Sequence, residues 1–287
     1  MQVLVSDDFD LRKIADSGQC FRAKELAGGM FRFITGDSVL YIRPCAPQLF
    51  DVSCTAAAWE TVWLPYFDLG RSYGEIARSI PASDPYLRQA AKEGRGIRVL
   101  RQDPWEVLIT FIISQRKSIP AIKAAVELLS EKYGRPVVTP YETLYTFPAP
   151  RQLAQAEEGA LTACKLGYRV PYIQDAAEKV ASGELDLERL REFPDAELFE
   201  RLKTVRGVGD KVASCIGLFA YGRTAAVPVD TWIRKVIEVE YGGRNPFPAY
   251  GENAGIMQQY AFFHALSHKD RFAPGRAAAG RFSVRYT

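Results

Sequence analysis

The chain has 287 residues, of which 47% are hydrophobic and 25% charged, a composition typical of globular proteins and compatible with one large or two smaller domains. No apolar run is long enough to cross a bilayer, and the first residues lack the pattern of a secretion signal, so we expect a cytoplasmic protein with no membrane partner. Five scattered cysteines favour a reducing compartment over a disulfide framework.

The formal net charge of +3 comes from the end of the chain. Four arginines and no acidic residue follow Asp270, and without these arginines residues 1–270 carry a formal charge of −1. A polyanionic partner would therefore be held by a local patch and by backbone N–H groups. Residues 271–287 show no apolar periodicity, and we expect them to form a disordered basic tail with Arg271, Arg276, Arg281 and Arg285.

The first part of the chain has the pattern of an antiparallel meander. Apolar and polar residues alternate between turn signals, which predicts strands at Cys20–Ala23, Met30–Ile34, Val39–Ile42 and Leu49–Val52. Thr55 is a predicted N-cap, and the helix after it carries Trp59, Trp63 and Phe67.

From about residue 74 the chain is predicted to be helical. Asp84-Pro85 and Asp103-Pro104 each place a capping residue before a proline, and Gly134 is predicted to end the helix that begins at Pro120. Further helices are predicted at Trp105–Ser114, Arg151–Gln155, Ala160–Leu166, Pro171–Ser182, Asp195–Lys203, Asp210–Tyr221, Asp230–Tyr241 and Gly255–His268. The predicted fold class is α+β, with a β-rich domain at 1–73, a helical domain at 74–270 and the tail at 271–287.

A glycine-containing turn, Gly207-Val208-Gly209, separates two of these helices. Glycine reaches left-handed backbone angles at low cost, so both glycines are expected to serve a tight turn. The second helix starts near Gly209 or Asp210, and its free N–H groups predict a phosphate-binding site. Lys211 lies in the first turn of that helix, and Asp230 precedes the next helix.

Two pairs of residues are four positions apart on predicted helices, namely Lys211 with Cys215 and Gln258 with Phe262. Each pair therefore shares one helix face. Together the two faces would offer an amine, a thiol, an amide and an aromatic ring. This set suits a flat heterocycle with a polar edge, held beside a nucleophile.

Blocks spread over residues 10 to 268 resemble the helix-hairpin-helix DNA glycosylases, and among them the 8-oxoguanine DNA glycosylase (Ogg) family. The blocks are S-G-Q-C-F-R at 17–22, V-L-R-Q-D-P at 99–104, L-G-Y-R at 166–169, G-V-G-D-K-V-A-S-C at 207–215 and V-P-V-D at 227–230. The resemblance implies an antiparallel sheet domain beside a two-lobed, all-helical glycosylase domain, with the active site in the cleft between the lobes. It also implies a bifunctional DNA glycosylase and AP lyase that excises 8-oxoguanine, and ring-opened purines such as formamidopyrimidine-guanine as a further substrate class.

The resemblance gives catalytic roles to Lys211 and Asp230. Lys211 would attack C1′ of the damaged nucleotide and form a Schiff base, which permits strand cleavage by β-elimination. Asp230 would oppose the positive charge that develops on the sugar. Read alone, Lys211 is more simply a solvated or phosphate-contacting lysine, and Asp230 is a helix N-cap.

The resemblance also assigns a base pocket. Phe262 and Cys215 would sandwich the flipped base, Gln258 would read its Watson–Crick edge, and the carbonyl of Gly18 would accept the N7–H that distinguishes 8-oxoguanine from guanine. The simpler interpretation makes Phe262 and Cys215 core residues and Gly18 a turn residue.

Contacts with DNA are implied for Tyr168 and Arg169, a wedge that fills the gap left by the flipped base. The segment Ser114-Gln115-Arg116-Lys117-Ser118 replaces the asparagine run of the animal enzymes, and Ala121 replaces their cytosine-reading arginine. We therefore predict a relaxed preference for cytosine opposite the lesion. Trp232 stands where those enzymes have a histidine.

Two alternatives are kept, a monofunctional glycosylase and a non-catalytic binding protein, and a third, an endonuclease III-like enzyme, is disfavoured because the five cysteines lack the spacing of a cluster site. A monofunctional glycosylase for alkylated bases usually lacks the lysine, and an endonuclease III-like enzyme usually carries four closely spaced cysteines for an iron–sulfur cluster. A non-catalytic hairpin protein would bind DNA without releasing a base. With two histidines in the chain, a His-based triad or zinc site is not expected. We expect no cofactor beyond a monovalent cation at the DNA-bound hairpin, a monomer, duplex DNA with an oxidised purine as partner, and a prokaryotic, DNA-associated protein.

Overall fold

The computed structural model describes residues 1–272. An antiparallel sheet near the start of the chain is followed by a helical body, which confirms the predicted α+β class. Arg271 and Phe272 lie in a short 3₁₀ helix, Lys269–Phe272, and Phe272 is buried. The remaining residues of the predicted tail, with Arg276, Arg281 and Arg285, lie outside the described residues.

Five strands form the main sheet in the order β1-β5-β4-β3-β2, with every neighbouring pair antiparallel. They are β1 Gln2–Leu4, β2 Lys24–Glu25, β3 Phe31–Thr35, β4 Ser38–Ala46 and β5 Leu49–Val52. A separate hairpin pairs β6 Pro136–Val138 with β7 Thr143–Tyr145.

The predicted strand at Cys20–Ala23 is wrong. These four residues are all buried in an irregular segment, and the strand itself is the two-residue β2 that follows them. A segment that buries every side chain has no exposed face, so its apparent alternation carried no information about a sheet. Strand β1 and the β6–β7 hairpin were not predicted, because three-residue strands are too short to show a period.

The predicted helices agree with observed ones to within a few residues. The α-helices span Leu11–Asp16, Ala56–Ala58, Leu64–Tyr66, Tyr73–Arg78, Pro85–Glu93, Pro104–Ser114, Ile119–Tyr133, Pro150–Ala154, Glu158–Ala163, Val170–Ser182, Asp195–Lys203, Asp210–Phe219, Thr231–Tyr241 and Ala254–Ser267, with a π-helical turn at Trp59–Trp63. Asp84 and Asp103 cap their helices by accepting hydrogen bonds from the amides of Leu87 and Glu106. Within residues 1–272, no helix is both long and apolar enough to cross a membrane.

Gly134 ends its helix for a different reason from the one predicted. Its φ of −80° is not left-handed. A Cβ at this position would instead lie 2.0 Å from the main-chain oxygen of Thr146, in the strand region that returns against the helix. The glycine is needed for a close approach of two backbones rather than for a left-handed turn.

Two apolar cores meet at a polar seam. One core lies under the sheet and contains Trp63, and the other fills the helical body. Arg98 crosses the seam with no exposed surface and donates to Asp7 at 2.9 Å and to the carbonyls of Phe67, Asp68 and Arg71. A buried guanidinium with this many acceptors fixes the sheet domain against the helices.

A second set of bonds across the seam holds the S-G-Q segment. The Gln19 side chain accepts from the amide of Leu100 at 2.7 Å and donates to the carbonyl of Arg98 at 2.8 Å. Gln102 donates to the carbonyl of Gln19 at 2.9 Å. The first two sequence blocks are therefore one hydrogen-bonded unit, which sets the position of Gly18.

Candidate functional site

A cavity of about 430 Å³ opens where the helical body meets the S-G-Q segment. Its lining brings together all six residues predicted for catalysis and base binding, from four distant parts of the chain: Gly18, Lys211, Cys215, Asp230, Gln258 and Phe262. Aromatic rings stack on one side, where Phe111 and Phe219 lie nearly parallel with centroids 5.4 Å apart.

The predicted hairpin joins helix Asp195–Lys203 to helix Asp210–Phe219. Gly207 is left-handed at φ +82°, and a Cβ there would lie 2.3 Å from the ring of Tyr172. Gly209 differs from the prediction, because it is extended (φ −105°) and forms the N-cap without a side-chain hydrogen bond. The first N–H groups of the second helix thus have no side-chain cap, as a phosphate site requires.

Lys211 and Cys215 lie one turn apart on the second hairpin helix and both face the cavity. The Lys211 ammonium is 5.4 Å from the centroid of the Phe111 ring. Burial raises the pKa of the Cys215 thiol to about 11, although the nearby Lys211 lowers it. The thiol is therefore protonated at neutral pH, and a thiol, unlike a thiolate, is a poor nucleophile.

Asp230 is both a helix N-cap and a carboxylate that faces the cavity. Its Oδ1 accepts from the amide of Ile233 at 2.8 Å, as an N-cap does, and its side chain also lines the cavity. Burial raises the pKa of Asp230, while the Ile233 hydrogen bond and the charge of Lys211 oppose that rise. A partly desolvated carboxylate is thus held within the influence of the lysine charge.

Gln258 and Gln259 are adjacent and equally buried, but their hydrogen bonding differs. Gln259 donates from Nε2 to the carbonyl of Ser17 at 2.6 Å. Gln258 is 3% exposed, lines the cavity, and its Oε1 has no partner among residues 1–272. A buried amide oxygen without a partner is costly, and a donor group that entered the cavity would remove that cost.

Gly18 and Phe262 lie close together in the lining of the cavity. Gly18 is left-handed at φ +76°, and a Cβ on it would lie 2.9 Å from Cε1 of Phe262. Both the backbone angle and the ring therefore require glycine. Gln259 supports the same corner through its bond to Ser17.

The predicted wedge pair splits into two roles. Tyr168 is 49% exposed at the surface. Arg169 is buried and donates to the carbonyls of Gln115 and Leu166, with its guanidinium 4.3 Å from the centroid of the Tyr168 ring. In the free protein Arg169 thus supports the tyrosine and the loop after helix Pro104–Ser114. Arg116, in that loop, is exposed and left-handed at φ +53°.

Several cavity residues were not predicted. Lys117, Trp232 and Lys269 line the cavity, and Lys235 places its ammonium 4.8 Å from the centroid of the Trp232 ring. Burial lowers the pKa of Lys117, and the nearby charges of Arg169 and Lys165 lower it further. Lys117 lies in a loop, Trp232 at the start of helix Thr231–Tyr241 and Lys269 in a 3₁₀ helix, so no single local pattern indicated that they would meet here.

Two family models match consecutive parts of the chain. Residues 2–108 match the 8-oxoguanine DNA glycosylase N-terminal domain, and residues 109–248 match the HhH-GPD superfamily of base excision DNA repair proteins. The boundary between them falls inside helix Pro104–Ser114.

Curated relatives carry matching names. A probable N-glycosylase/DNA lyase of Methanothermobacter thermautotrophicus is 31% identical over 63% of this chain and 67% of its own length. An N-glycosylase/DNA lyase of Arabidopsis thaliana is 29% identical over 77% of this chain, a match that covers 63% of that longer protein.

Solved structures agree with the curated relatives. MBOgg1 bound to a low-affinity DNA ligand has 36% identity and a TM-score of 0.88, over 93% of this chain and 96% of that one. The Clostridium acetobutylicum 8-oxoguanine glycosylase/lyase, bound to duplex DNA with cytosine opposite 8-oxoguanine, has 33% identity and a TM-score of 0.86, over 94% of this chain and 98% of that one. A 3-methyladenine DNA glycosylase of Archaeoglobus fulgidus, at 19% identity and a TM-score of 0.73, shares the fold.

Proposed function

Because the chain belongs to the 8-oxoguanine DNA glycosylase family of helix-hairpin-helix base-excision-repair proteins, we propose that it excises 8-oxoguanine from duplex DNA and then nicks the strand as an AP lyase. One observation carries the proposal. The amine of Lys211 and the carboxylate of Asp230 open into the same cavity as the unpartnered amide oxygen of Gln258, which has no hydrogen-bond partner within residues 1–272.

The amine of Lys211 is the proposed nucleophile. Its nitrogen forms a bond to C1′ as the C1′–N9 bond breaks, and the departing base takes up a proton. Opening of the sugar ring gives an iminium between Nζ and C1′. Loss of a C2′ proton then expels the 3′ phosphate, which completes the β-elimination.

Asp230 is proposed to stabilise the positive charge that develops on the sugar as the base leaves. The Ile233 amide fixes the carboxylate, so little reorganisation is needed when the charge appears. Its raised pKa reflects poor solvation, which strengthens its interaction with a nearby cation.

The substrate is proposed to be an oxidised purine. Phe262 and the neutral thiol of Cys215 offer the two faces of a slot, and Gln258 offers a donor and an acceptor to the edge of the base. The carbonyl of Gly18, fixed by the S-G-Q network, would accept the N7–H of 8-oxoguanine. Guanine has no hydrogen at N7, so it would leave this carbonyl without a partner.

Duplex DNA is proposed to lie across the hairpin and the exposed ring of Tyr168. The uncapped N–H groups after Gly207-Val208-Gly209 would hold a phosphate, with a monovalent cation bound at the turn when DNA is present. Tyr168 would fill the space of the flipped base, Arg169 would support it, and Arg116 would contact the opposite strand. We propose a monomeric enzyme of the prokaryotic cytoplasm.

Borohydride trapping on a duplex with one 8-oxoguanine opposite cytosine tests this proposal. The wild-type chain is expected to form a covalent adduct that Lys211→Gln does not form. Base release without an adduct would remove Lys211 as the nucleophile. Tight DNA binding without base release would support the non-catalytic alternative, and release of alkylated bases alone would support the monofunctional one.

A further inference from the structure

The helix Ala254–Ser267 has two functional faces. Gln258, Phe262 and Leu266 are four residues apart and line the base cavity. His264 and His268 have the same spacing but are offset by two residues, which places them on the opposite side of the helix. The second face packs against helix Pro85–Glu93.

Glu93, His264 and His268 converge on this second face, with one ligand atom from each within 4.8 Å of the others. Oε2 of Glu93 is 2.7 Å from Nδ1 of His264 and 3.7 Å from Nδ1 of His268. Two ligand atoms bound to tetrahedral zinc at about 2.1 Å lie roughly 3.4 Å apart. The observed separations bracket that value. Nδ1 of His268 also lies 2.9 Å from the main-chain carbonyl of His264, so the His268 side chain would have to turn away from that carbonyl to complete the site.

The surroundings of the three side chains favour a cation. Glu93 ends its helix, and His268 is the C-cap of the other, so the negative ends of two helix dipoles meet here. One positive charge opposes this, because the Lys13 ammonium donates to the main-chain carbonyl of Glu93 at 2.9 Å, although it bonds to the main chain and not to the carboxylate. Within residues 1–272 no lysine or arginine pairs with the Glu93 carboxylate, while Gln89 holds its other oxygen at 2.7 Å.

Exposure increases across the cluster. The side chain of His264 is 4% exposed, that of Glu93 31% and that of His268 44%. An ion could therefore enter from the His268 side and keep a solvent ligand. Two imidazoles, one carboxylate and one open position form a donor set suited to zinc.

We propose that Glu93, His264 and His268 bind a divalent transition metal of the zinc type, which clamps the back of the helix that carries the base pocket to helix Pro85–Glu93. The site does not depend on the proposed glycosylase chemistry. Glu93 supplies the third ligand that two histidines alone could not provide.

Calorimetric titration of Zn²⁺ alone into the chelator-treated full chain tests the clamp. We expect one zinc per chain, and at least tenfold weaker binding in both His268→Asn and Glu93→Gln. Circular dichroism checks that the variants fold. The amide that Glu93→Gln introduces can still accept from the imidazole of His264, and position 268 is partly exposed, so both substitutions are mild.

Cys45 is exposed and provides the matched control, because a surface thiol could bind zinc by itself. Cys45→Ser is expected to leave the affinity unchanged. Saturating Zn²⁺ should also raise the Tm of the wild-type chain and of Cys45→Ser but not that of His268→Asn. Equal zinc affinity in wild type and His268→Asn, or a loss of affinity confined to Cys45→Ser, would overturn the proposal.

Discussion

Substitution of Gln258 by methionine should raise stability and lower activity at the same time. Methionine has nearly the shape of glutamine but needs no hydrogen bond. The Oε1 atom of Gln258 is buried and has no partner among residues 1–272. Removing an unpaired buried polar group gains about 1–3 kcal/mol at most, so we expect the free energy of unfolding to rise by about 1 kcal/mol.

The neighbouring glutamine provides a control of the same residue type, helix and burial. Gln259 is 2% exposed and donates to the carbonyl of Ser17 at 2.6 Å. Gln259→Met leaves that carbonyl without its partner and should cost about 1–3 kcal/mol. The two variants should thus differ by about 2–4 kcal/mol, and urea unfolding can measure this difference against the wild type.

Base excision gives the second readout. Without the Gln258 amide, the polar edge of the flipped base enters the pocket unpaired, which costs about 1–3 kcal/mol and lowers single-turnover excision about tenfold to hundredfold. If Gln258→Met is destabilised as much as Gln259→Met, then Gln258 has a partner in solution and the reasoning fails. If excision is unchanged, Gln258 does not recognise the base.

Three further predictions concern pH, the hairpin and the opposite base. Burial raises the pKa of Glu106 from 4.5 to about 7, although the charge of Arg22 lowers it. Between these two values the folded state holds a proton that the unfolded state releases. The free energy of unfolding should therefore fall by roughly 3 kcal/mol as the pH rises from about 4.5 to 7. Urea unfolding at about pH 5 and about pH 8 should show this fall in the wild type but not in Glu106→Gln. If both proteins lose the same free energy of unfolding between the two pH values, Glu106 is not the group responsible. Gly207→Ala should lose about 2 kcal/mol or more and bind duplex DNA more weakly, because a Cβ would lie 2.3 Å from the ring of Tyr172. Gly209→Ala has no atom within 4 Å of its Cβ and should lose no more than about 1 kcal/mol, the cost of a poorer N-cap; equal unfolding energies for the two variants would refute this. Excision rates with cytosine, adenine, guanine or thymine opposite 8-oxoguanine should be similar, and a steep fall away from cytosine would reject the relaxed preference.

Local chemistry explains which parts of the fold could be predicted. Asp84 and Asp103 cap helices through hydrogen bonds that span three residues, so their sequence neighbours suffice to identify them. The buried segment Cys20–Ala23 and the glycine at 134 depend on distant partners, which no local pattern contains. For the same reason the seam arginine, Arg98, was not predicted, although it donates to several acceptors in the sheet domain.

The candidate site was likewise predicted only in part from the sequence. The resemblance selected six residues that do line one cavity, including Gly18 and Phe262. It could not separate Gln258 from Gln259 by their hydrogen bonds, since that difference depends on the position of Ser17 at the other end of the chain. The resemblance also did not predict that Glu93 lies close to His264 and His268, because this distance depends on how two helices pack together.

The bond between Ser17 and Gln259 joins positions 242 residues apart. During translation the turn at Gly207-Val208-Gly209 leaves the ribosome about 50 residues before Gln259 and Phe262. A nascent or prematurely terminated chain can therefore contain Lys211 and the turn proposed to hold a phosphate, but not the helix that completes the cavity. In the proposed function, selection of the damaged base requires both Gly18 and residues of the helix Ala254–Ser267, so a truncated product would carry the proposed nucleophile without that selectivity.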